Sequence, residues 1–346
     1  MAKTMKTAVM TGIGKIEFEN REVPSPAPHE VLVKLEYVGI CGSDMHYYET
    51  GRIGDFIVEP PFVLGHECAG TVVELGAEVK HLKVGDRVAL EPGTTCKTCA
   101  YCRQGNYNLC PDVVFFATPP VDGVFQEYVA HEAAMCFKLP DHVSTMEGAL
   151  IEPLAIGFHA ASQGGAKVGQ SAVVFGAGCI GLVSMLALRA YGVTQIFVVD
   201  SMENRLQKAK ELGADVVINF TKEDTTKKIK ELCEKGIDLV IDASGAPAAL
   251  RCAIDVCRKA ATIVLVGYSP NDETNFPMNA AINKELRFES VFRYRHIYPI
   301  AIQAVSAGTV NIKNLVSHTF DFDEIPEAMR KCIDSKDMIS KAVVKI

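Results

Sequence analysis

Four cysteines, Cys96, Cys99, Cys102 and Cys110, stand in one stretch with two, two and seven residues between them. Thiolates at this spacing can close a tetrahedron around zinc, and a site with every position filled by protein is structural. An iron–sulfur cluster is the other reading, because CxxCxxC with a following Cys110-Pro111 suits one. The last gap is seven residues rather than three, which favours zinc. A second set is scattered: Cys41 in Gly39-Ile40-Cys41-Gly42-Ser43-Asp44, His66 in Gly65-His66-Glu67, and Glu152 in Ile151-Glu152-Pro153. Three such ligands leave one position open, the pattern of a catalytic zinc. His66 and Glu67 would point to opposite sides of an extended segment, so both reach one ion only if the chain bends there. Cys41, His66 and Glu152 are therefore the expected direct ligands, with Glu67 supporting them or exchanging in as the fourth.

A third feature is Gly176-Ala177-Gly178-Cys179-Ile180-Gly181, a GxGxxG that follows an apolar run and opens a helical one. Its glycines allow a tight turn, close approach of backbone to a pyrophosphate, and close helix–strand packing. The helix start adds a positive dipole for the phosphates. Asp200 lies nineteen residues beyond Gly181, where a carboxylate holds a ribose 2′-hydroxyl and repels the 2′-phosphate of NADP. Ser201 and Met202 offer no compensating cation, so NAD is favoured; Arg205 can stack on or pair near the adenosine. The expected cofactor-binding set is Gly176, Gly178, Ile180, Gly181, Asp200 and Arg205.

These groups need a scaffold. The chain has 346 residues, enough for two domains at about 150 residues each. It is 48% hydrophobic and 22% charged, which excludes a disordered chain and permits a core without disulfides. A net charge of −7 argues against nucleic-acid or anionic-membrane binding. The first residues have no apolar signal core, so a reducing, cytoplasmic location is expected, where clustered cysteines bind metal. Residues 171–188 carry no charge, a transmembrane-candidate length, but three glycines and a change of period favour a buried strand and helix.

The first half reads as strands and loops, with strands over 30–37, 68–75 and 86–90 and irregular stretches at 42–61 and 91–120. Val31, Val33, Leu35 and Tyr37 should share one buried face. From about residue 168 strands alternate with helices: strands at 171–175, 195–200, 215–219, 238–242 and 261–266, helices at 180–191, 203–212, 225–234 and 248–257. Such units imply a parallel sheet covered on both faces. A short strand is expected at 341–346. The layout is thus α/β, a β-rich domain that resumes at the C-terminus and is interrupted by a doubly wound one.

Taken together, Gly65-His66-Glu67, the four-cysteine loop and the glycine fingerprint resemble the zinc-dependent medium-chain dehydrogenase/reductase family over essentially the whole chain. The run from Cys41 to Tyr47 into Gly51-Arg52-Ile53-Gly54 resembles the polyol branch, the sorbitol and xylitol dehydrogenases, as do 116–120, 152–154 and 292–294. The resemblance implies a GroES-like catalytic domain over 1–153 and 289–346 and a Rossmann domain over 154–288. It implies Cys41, His66, Glu67 and Glu152 around the catalytic zinc, and Ser43 and His46 as the relay that moves the alcohol proton to solvent. Tyr47, Phe115, Arg293 and Tyr294 match the polyol pocket. Some animal sorbitol dehydrogenases lack the four cysteines, so keeping them implies kinship with microbial members. The family also implies dimers or tetramers paired through edge strands, with 261–266 or 288–291 as the pairing strand.

Removing hydride from a secondary alcohol requires loss of the hydroxyl proton, and zinc lowers the pKa of a coordinated oxygen from about 16 toward about 7. The expected activity is reversible, NAD-dependent oxidation of a polyol (sorbitol, xylitol or L-iditol) to its 2-ketose in the interdomain cleft, with two zincs per chain. A butanediol, L-threonine or simple secondary-alcohol dehydrogenase is the alternative; Arg293 and Tyr294 would find no partners on such substrates. A non-catalytic zinc- and NAD-binding protein is the remote one, and it would hold a single zinc. Of the 12 cysteines, Cys68, Cys136, Cys179, Cys233, Cys252, Cys257 and Cys332 have no assigned chemistry and read as small core residues.

Overall fold

The computed structural model describes residues 3–269 and 273–346, which leaves Met1 and Ala2 of the N-terminal stretch outside the described residues. Two compact units emerge: Met1–Glu152 with Tyr298–Ala307 and Val316–Ile346, and Pro153–Ile297 with Gly308–Leu315.

The first unit is organised by a seven-stranded sheet centred on the strand Glu30–Ile40. One edge of that strand pairs antiparallel with Glu67–Leu75; the other pairs with Tyr128–Glu132 and then Ala342–Lys345. Val31, Val33 and Leu35 are buried as their alternation requires, but Val38 takes the place expected of Tyr37. A register shift between Leu35 and Tyr37 inserts one residue and reverses the inward face. The C-terminal strand brings Ala342 opposite Ile40, which sets Lys341 beside the loop that carries Cys41.

Two segments depart from expectation. Residues 42–50 form the helix Gly42–Thr50 rather than irregular chain. No apolar period announces this helix; Asp44 accepts from the Cys41 amide at its start, and Gly51 closes it at φ 73°. The hairpin Thr4–Gly12 with Lys15–Glu22 was not legible, because its second strand is largely exposed and polar.

The second unit holds six parallel strands in the order Val216–Asn219, Gln195–Asp200, Ser171–Phe175, Ile237–Asp242, Cys257–Leu265 and Arg287–Ser290. Strand order reverses between Ser171–Phe175 and Ile237–Asp242, the place where an open α/β sheet binds its ligand. The uncharged run at 171–188 becomes one buried strand and the start of the helix Cys179–Ala190. Among the described residues no helix is long and apolar enough to cross a membrane. The domain boundary expected at 288/289 falls inside the strand Arg287–Ser290, whose ladder with Cys257–Leu265 holds it in this sheet. The division lies instead at Ile297, and residues 308–315 return to this unit.

Candidate catalytic metal centre and nucleotide site

Cys41 follows the central strand and caps the helix Gly42–Thr50, and His66 precedes the strand Glu67–Leu75. One carboxylate joins these segments. Asp44, fully buried, accepts from the Cys41 amide through Oδ2 and from the Gly65 amide through Oδ1, each at 2.9 Å. Its Oδ1 also lies 3.7 Å from His66 Nδ1. Gly65 takes φ 90° immediately before His66, and His66 itself lies outside the strand that begins at Glu67. Cys41 Sγ, a ring nitrogen of His66 and a carboxylate oxygen of Glu67 lie within 4.8 Å of one another.

This set differs from the favoured one. Glu67, expected in support or as an exchanging fourth ligand, is the carboxylate that lies with Cys41 and His66, while Glu152 is not in that group of three. Glu152 is nonetheless buried at the start of the helix Ile151–Gln163, and its charge acts on His66. Burial alone would disfavour the imidazolium, yet the negative charges of Cys41, Asp44 and Glu152 outweigh it and raise the His66 pKa well above 6.5. Sulfur, nitrogen and oxygen donors converging in a buried anionic field fit a zinc ion.

Glu67 has a partner that sequence reading missed. Lys341 is ion-paired with Glu67 Oε2 and donates a 2.9 Å hydrogen bond to the Ile40 carbonyl, with 2% of its side chain exposed. Gly39 makes room for this pair, since a Cβ there would collide with the Glu67 carboxylate. The missed signal was Lys341, a lysine just before the C-terminal strand Ala342–Lys345, whose first three residues are apolar and buried.

Ser43 is half-buried on the first turn of the helix Gly42–Thr50, and His46 is exposed three residues on, along the same face. Tyr47 is buried edge-to-face on Phe62, with centroids 6.5 Å apart. The Phe115 ring lies 5.9 Å from that of His66. Arg293 and Tyr294 belong to the second unit; Tyr294 is buried, and Arg293 adopts φ 57° with its guanidinium over the Phe292 ring.

The four-cysteine loop is gathered as its spacing demands. All four sulfurs lie within 4.8 Å of one another, and Cys96 and Cys110 are 3.5 Å apart, close to the ~3.8 Å edge of a zinc–thiolate tetrahedron. The amides of Cys99 and Cys102 point at the sulfurs of Cys96 and Cys99. Amide donation from Thr98 and Cys99 lowers the Cys96 pKa to about 6, so a thiolate is available.

In the second unit, Gly176 has φ 91°, and a Cβ on Gly181 would strike the Gly176 carbonyl, so both positions require glycine. Asp200 accepts from the Ala177 amide at 2.7 Å and from those of Ser201 and Met202 at 2.8 and 2.9 Å. A pocket of about 540 Å³ opens there, lined by Gly176, Gly178, Asp200, Arg205, Phe220 and Thr225 among others. Ile180 and Gly181 are not among the residues that line it; Gly181 packs directly on the Gly176 carbonyl. Phe220 and Thr225 were not anticipated; nothing in their local sequence marks them, and the parallel sheet brings them to the glycine loop.

Residues 27–141 match the alcohol dehydrogenase GroES-like domain, and residues 179–307 match the zinc-binding dehydrogenase domain. The chain is 46% identical to a sorbitol dehydrogenase of Macaca fascicularis, covering 92% of this chain and 90% of that protein. It is 40% identical to a sorbitol dehydrogenase of Bacillus subtilis, covering 99% and 97%. Expected nearness to microbial members is thus not reflected in these identities. An Escherichia coli oxidoreductase/dehydrogenase of unknown specificity superposes with a TM-score of 0.95 at 40% identity, covering 99% of both chains. With its donor set, glycine fingerprint and these matches, the chain belongs to the zinc-dependent medium-chain dehydrogenase/reductase family and is an oxidoreductase that uses zinc and a nicotinamide cofactor.

Proposed function

We propose that the protein reversibly oxidises a polyol such as sorbitol, xylitol or L-iditol to its 2-ketose with NAD. The observation that carries this reading is the convergence of Cys41, His66 and Glu67 in a chain so similar to sorbitol dehydrogenases. Zinc bound by these donors would make a substrate hydroxyl acidic near neutral pH, and the nicotinamide would accept the hydride. Every other role falls to the chain. Cys41, His66 and Glu67 hold the cation, Asp44 fixes the first two, and Glu152 lends charge or enters as a ligand in turn. Ser43 takes the hydroxyl proton, and the exposed His46 delivers it to solvent. Tyr47, Phe115, Arg293 and Tyr294 bind the remaining hydroxyls and the carbon chain. Cys96, Cys99, Cys102 and Cys110 hold a second, structural zinc, and a reducing cytoplasm keeps their thiolates available.

A polyol panel assayed for zinc-dependent NADH production tests this. The expected result is turnover on one or more polyols, abolished by chelation and restored by zinc, with two zincs per chain. Turnover confined to primary alcohols, butanediol or threonine would overturn the substrate class, and a single bound zinc would favour a non-catalytic role.

We further propose a homodimer or homotetramer joined through the strand Arg287–Ser290. Among the described residues it is the last strand of its sheet, paired only with Cys257–Leu265, and Phe276, Met278, Ile282 and Phe288 are exposed near it in sequence. An open strand edge with apolar neighbours is a pairing surface. Ile282→Asp with Met278→Asp is expected to lower the assembled fraction in sedimentation analysis; an unchanged mass would exclude this edge.

A further inference from the structure

Asn219 ends the strand Val216–Asn219 directly beside Asp200, its partner in the ladder with Gln195–Asp200. The residue is buried, and its side-chain amide uses every hydrogen-bonding position it has. Nδ2 donates to the Ser201 carbonyl at 3.0 Å and to Glu203 Oε1 at 2.6 Å. Oδ1 accepts from the Thr221 amide at 3.0 Å and from the Thr221 hydroxyl at 2.6 Å. Turning the amide over would set its NH2 against the Thr221 amide, so one orientation is imposed. A buried amide saturated in this way rigidly joins the segments 200–203 and 219–223. The Asn219 carbonyl closes the second segment by accepting from the amides of Lys222 and Glu223 at 3.0 and 3.1 Å.

Glu203, which opens the helix Glu203–Glu211, carries this clamp outward. The oxygen that accepts from Asn219 also lies 2.6 Å from Lys222 Nζ. Both charged side chains are more than half exposed, so the ion pair adds little to folding. Its consequence is where it puts the two charges, which is the rim of the nucleotide pocket. Glu203 stands between Ser201 and Arg205 in sequence, and Lys222 between Phe220 and Asp224. All four of these flanking residues line the pocket that Asp200 walls. The next lysines are engaged as well, Lys228 with Glu223 at 3.4 Å and Lys227 with Glu231 at 4.0 Å.

NAD and NADP differ by one phosphate, carried on the ribose hydroxyl that Asp200 is placed to hold. A cation beside that phosphate is what a chain needs in order to accept NADP. We propose that Asn219, Glu203 and Lys222 form a specificity-determining clamp for NAD: Asn219 fixes Glu203, and Glu203 keeps Lys222 from reaching a ribose 2′-phosphate. The determinant then lies on the strand and turn beyond the one that carries Asp200, outside the glycine fingerprint. This proposal deepens the reading of NAD as the cofactor and rests on it, but on neither metal site and not on the polyol.

Dissociation constants for NADH and NADPH, read by nicotinamide fluorescence on the full-length protein, test the clamp. Glu203→Gln keeps an oxygen that accepts from Asn219 but has no charge to hold Lys222. NADPH is expected to bind this variant about 3- to 10-fold more tightly than the parent, with NADH within about twofold. Loss of a negative charge would favour NADPH by itself, so Glu203→Gln is combined with Lys222→Met to separate the two causes. The double variant is expected to lose most of the gain. Asn219→Ser deprives Glu203 of its inner donor and should shift the ratio of NADPH to NADH affinity the same way by a smaller factor. Should that buried change impair folding, the exposed Glu203 and Lys222 still carry the test. Unchanged NADPH affinity in Glu203→Gln, or a gain that survives in full without Lys222, would overturn the clamp while leaving NAD as the cofactor. A parent protein that binds NADPH as tightly as NADH would overturn the NAD reading and the clamp with it.

Discussion

Lys341→Met is expected to yield a protein whose stability depends on metal far more than the parent's does. Lys341 and Glu67 are both essentially inaccessible to solvent, and Glu67 lies beside the Cys41 thiol and the His66 ring. Removing one partner of a buried pair leaves the other uncompensated, at a cost of about 3–5 kcal/mol. In the metal-free protein the His66 imidazolium beside Glu67 is already engaged by the charges of Cys41 and Asp44, so most of the penalty falls on folding. A bound dication supplies the missing positive charge to the same carboxylate, so the zinc-loaded variant recovers most of the loss. Denaturant unfolding of chelator-treated and zinc-loaded samples measures both, and the gap between them should widen in the variant. Turnover of the loaded variant should fall by about 10- to 100-fold, the usual cost of disturbing groups that orient metal ligands. Lys341→Arg, which keeps the charge, should restore part of the metal-free stability. Equal destabilisation with and without zinc would mean that Lys341 merely fills space.

The contrast between Lys341 and the four cysteines explains what was legible in advance. A chelating loop closes within fifteen residues, so its chemistry is written in local spacing, and the sulfurs meet as that spacing requires. The glycine fingerprint is equally local: a strand, a turn needing positive φ at Gly176, and a helix packed too closely for any side chain at Gly181. The parallel sheet followed from repeated strand–helix units; the strands at 171–175 and 195–200 fall where expected, and the next three have ends displaced by up to four residues because ladders, not apolar runs, set where strands stop. The catalytic donors are different. Cys41 and His66 were readable as candidate ligands, but that Glu67 rather than Glu152 groups with them within 4.8 Å is set by the backbone around the start of the strand Glu67–Leu75, which alternation alone does not reveal. Asp44 and Lys341 act through contacts made across 21 and 301 residues of sequence, by strand pairing that no local pattern encodes. Tyr37 was misassigned for a related reason, since a single bulge reverses the inward face beyond it.

Asp200→Ser should weaken NAD more than any other single change in the second unit, and its companion Asp200→Asn should separate the two reasons why. The carboxylate has two duties. Toward the chain, it gathers the amides of Ala177, Ser201 and Met202, which fixes the glycine loop against the end of the strand Gln195–Asp200. Toward the cofactor, it lies on the wall of the 540 Å³ pocket, where it can accept from ribose hydroxyls and repel a 2′-phosphate. Serine has one small acceptor and no charge, so both duties fail. Loss of a charged hydrogen bond is worth about 1.5–3 kcal/mol, or roughly 10- to 150-fold in the dissociation constant of NAD. Asparagine keeps an oxygen that can serve Ser201 and Met202 but removes the charge, so NAD weakens less while discrimination against NADP narrows most relative to NAD affinity. Arg205 lines the same pocket, and once Asp200 is neutral its guanidinium is the cation available to a 2′-phosphate. Dissociation constants for NADH and NADPH by nicotinamide fluorescence check this without reference to any alcohol substrate. If both variants bind NADH within twofold of the parent, Asp200 does not hold the ribose; if NADPH gains nothing from Asp200→Asn, charge at this position does not choose the cofactor.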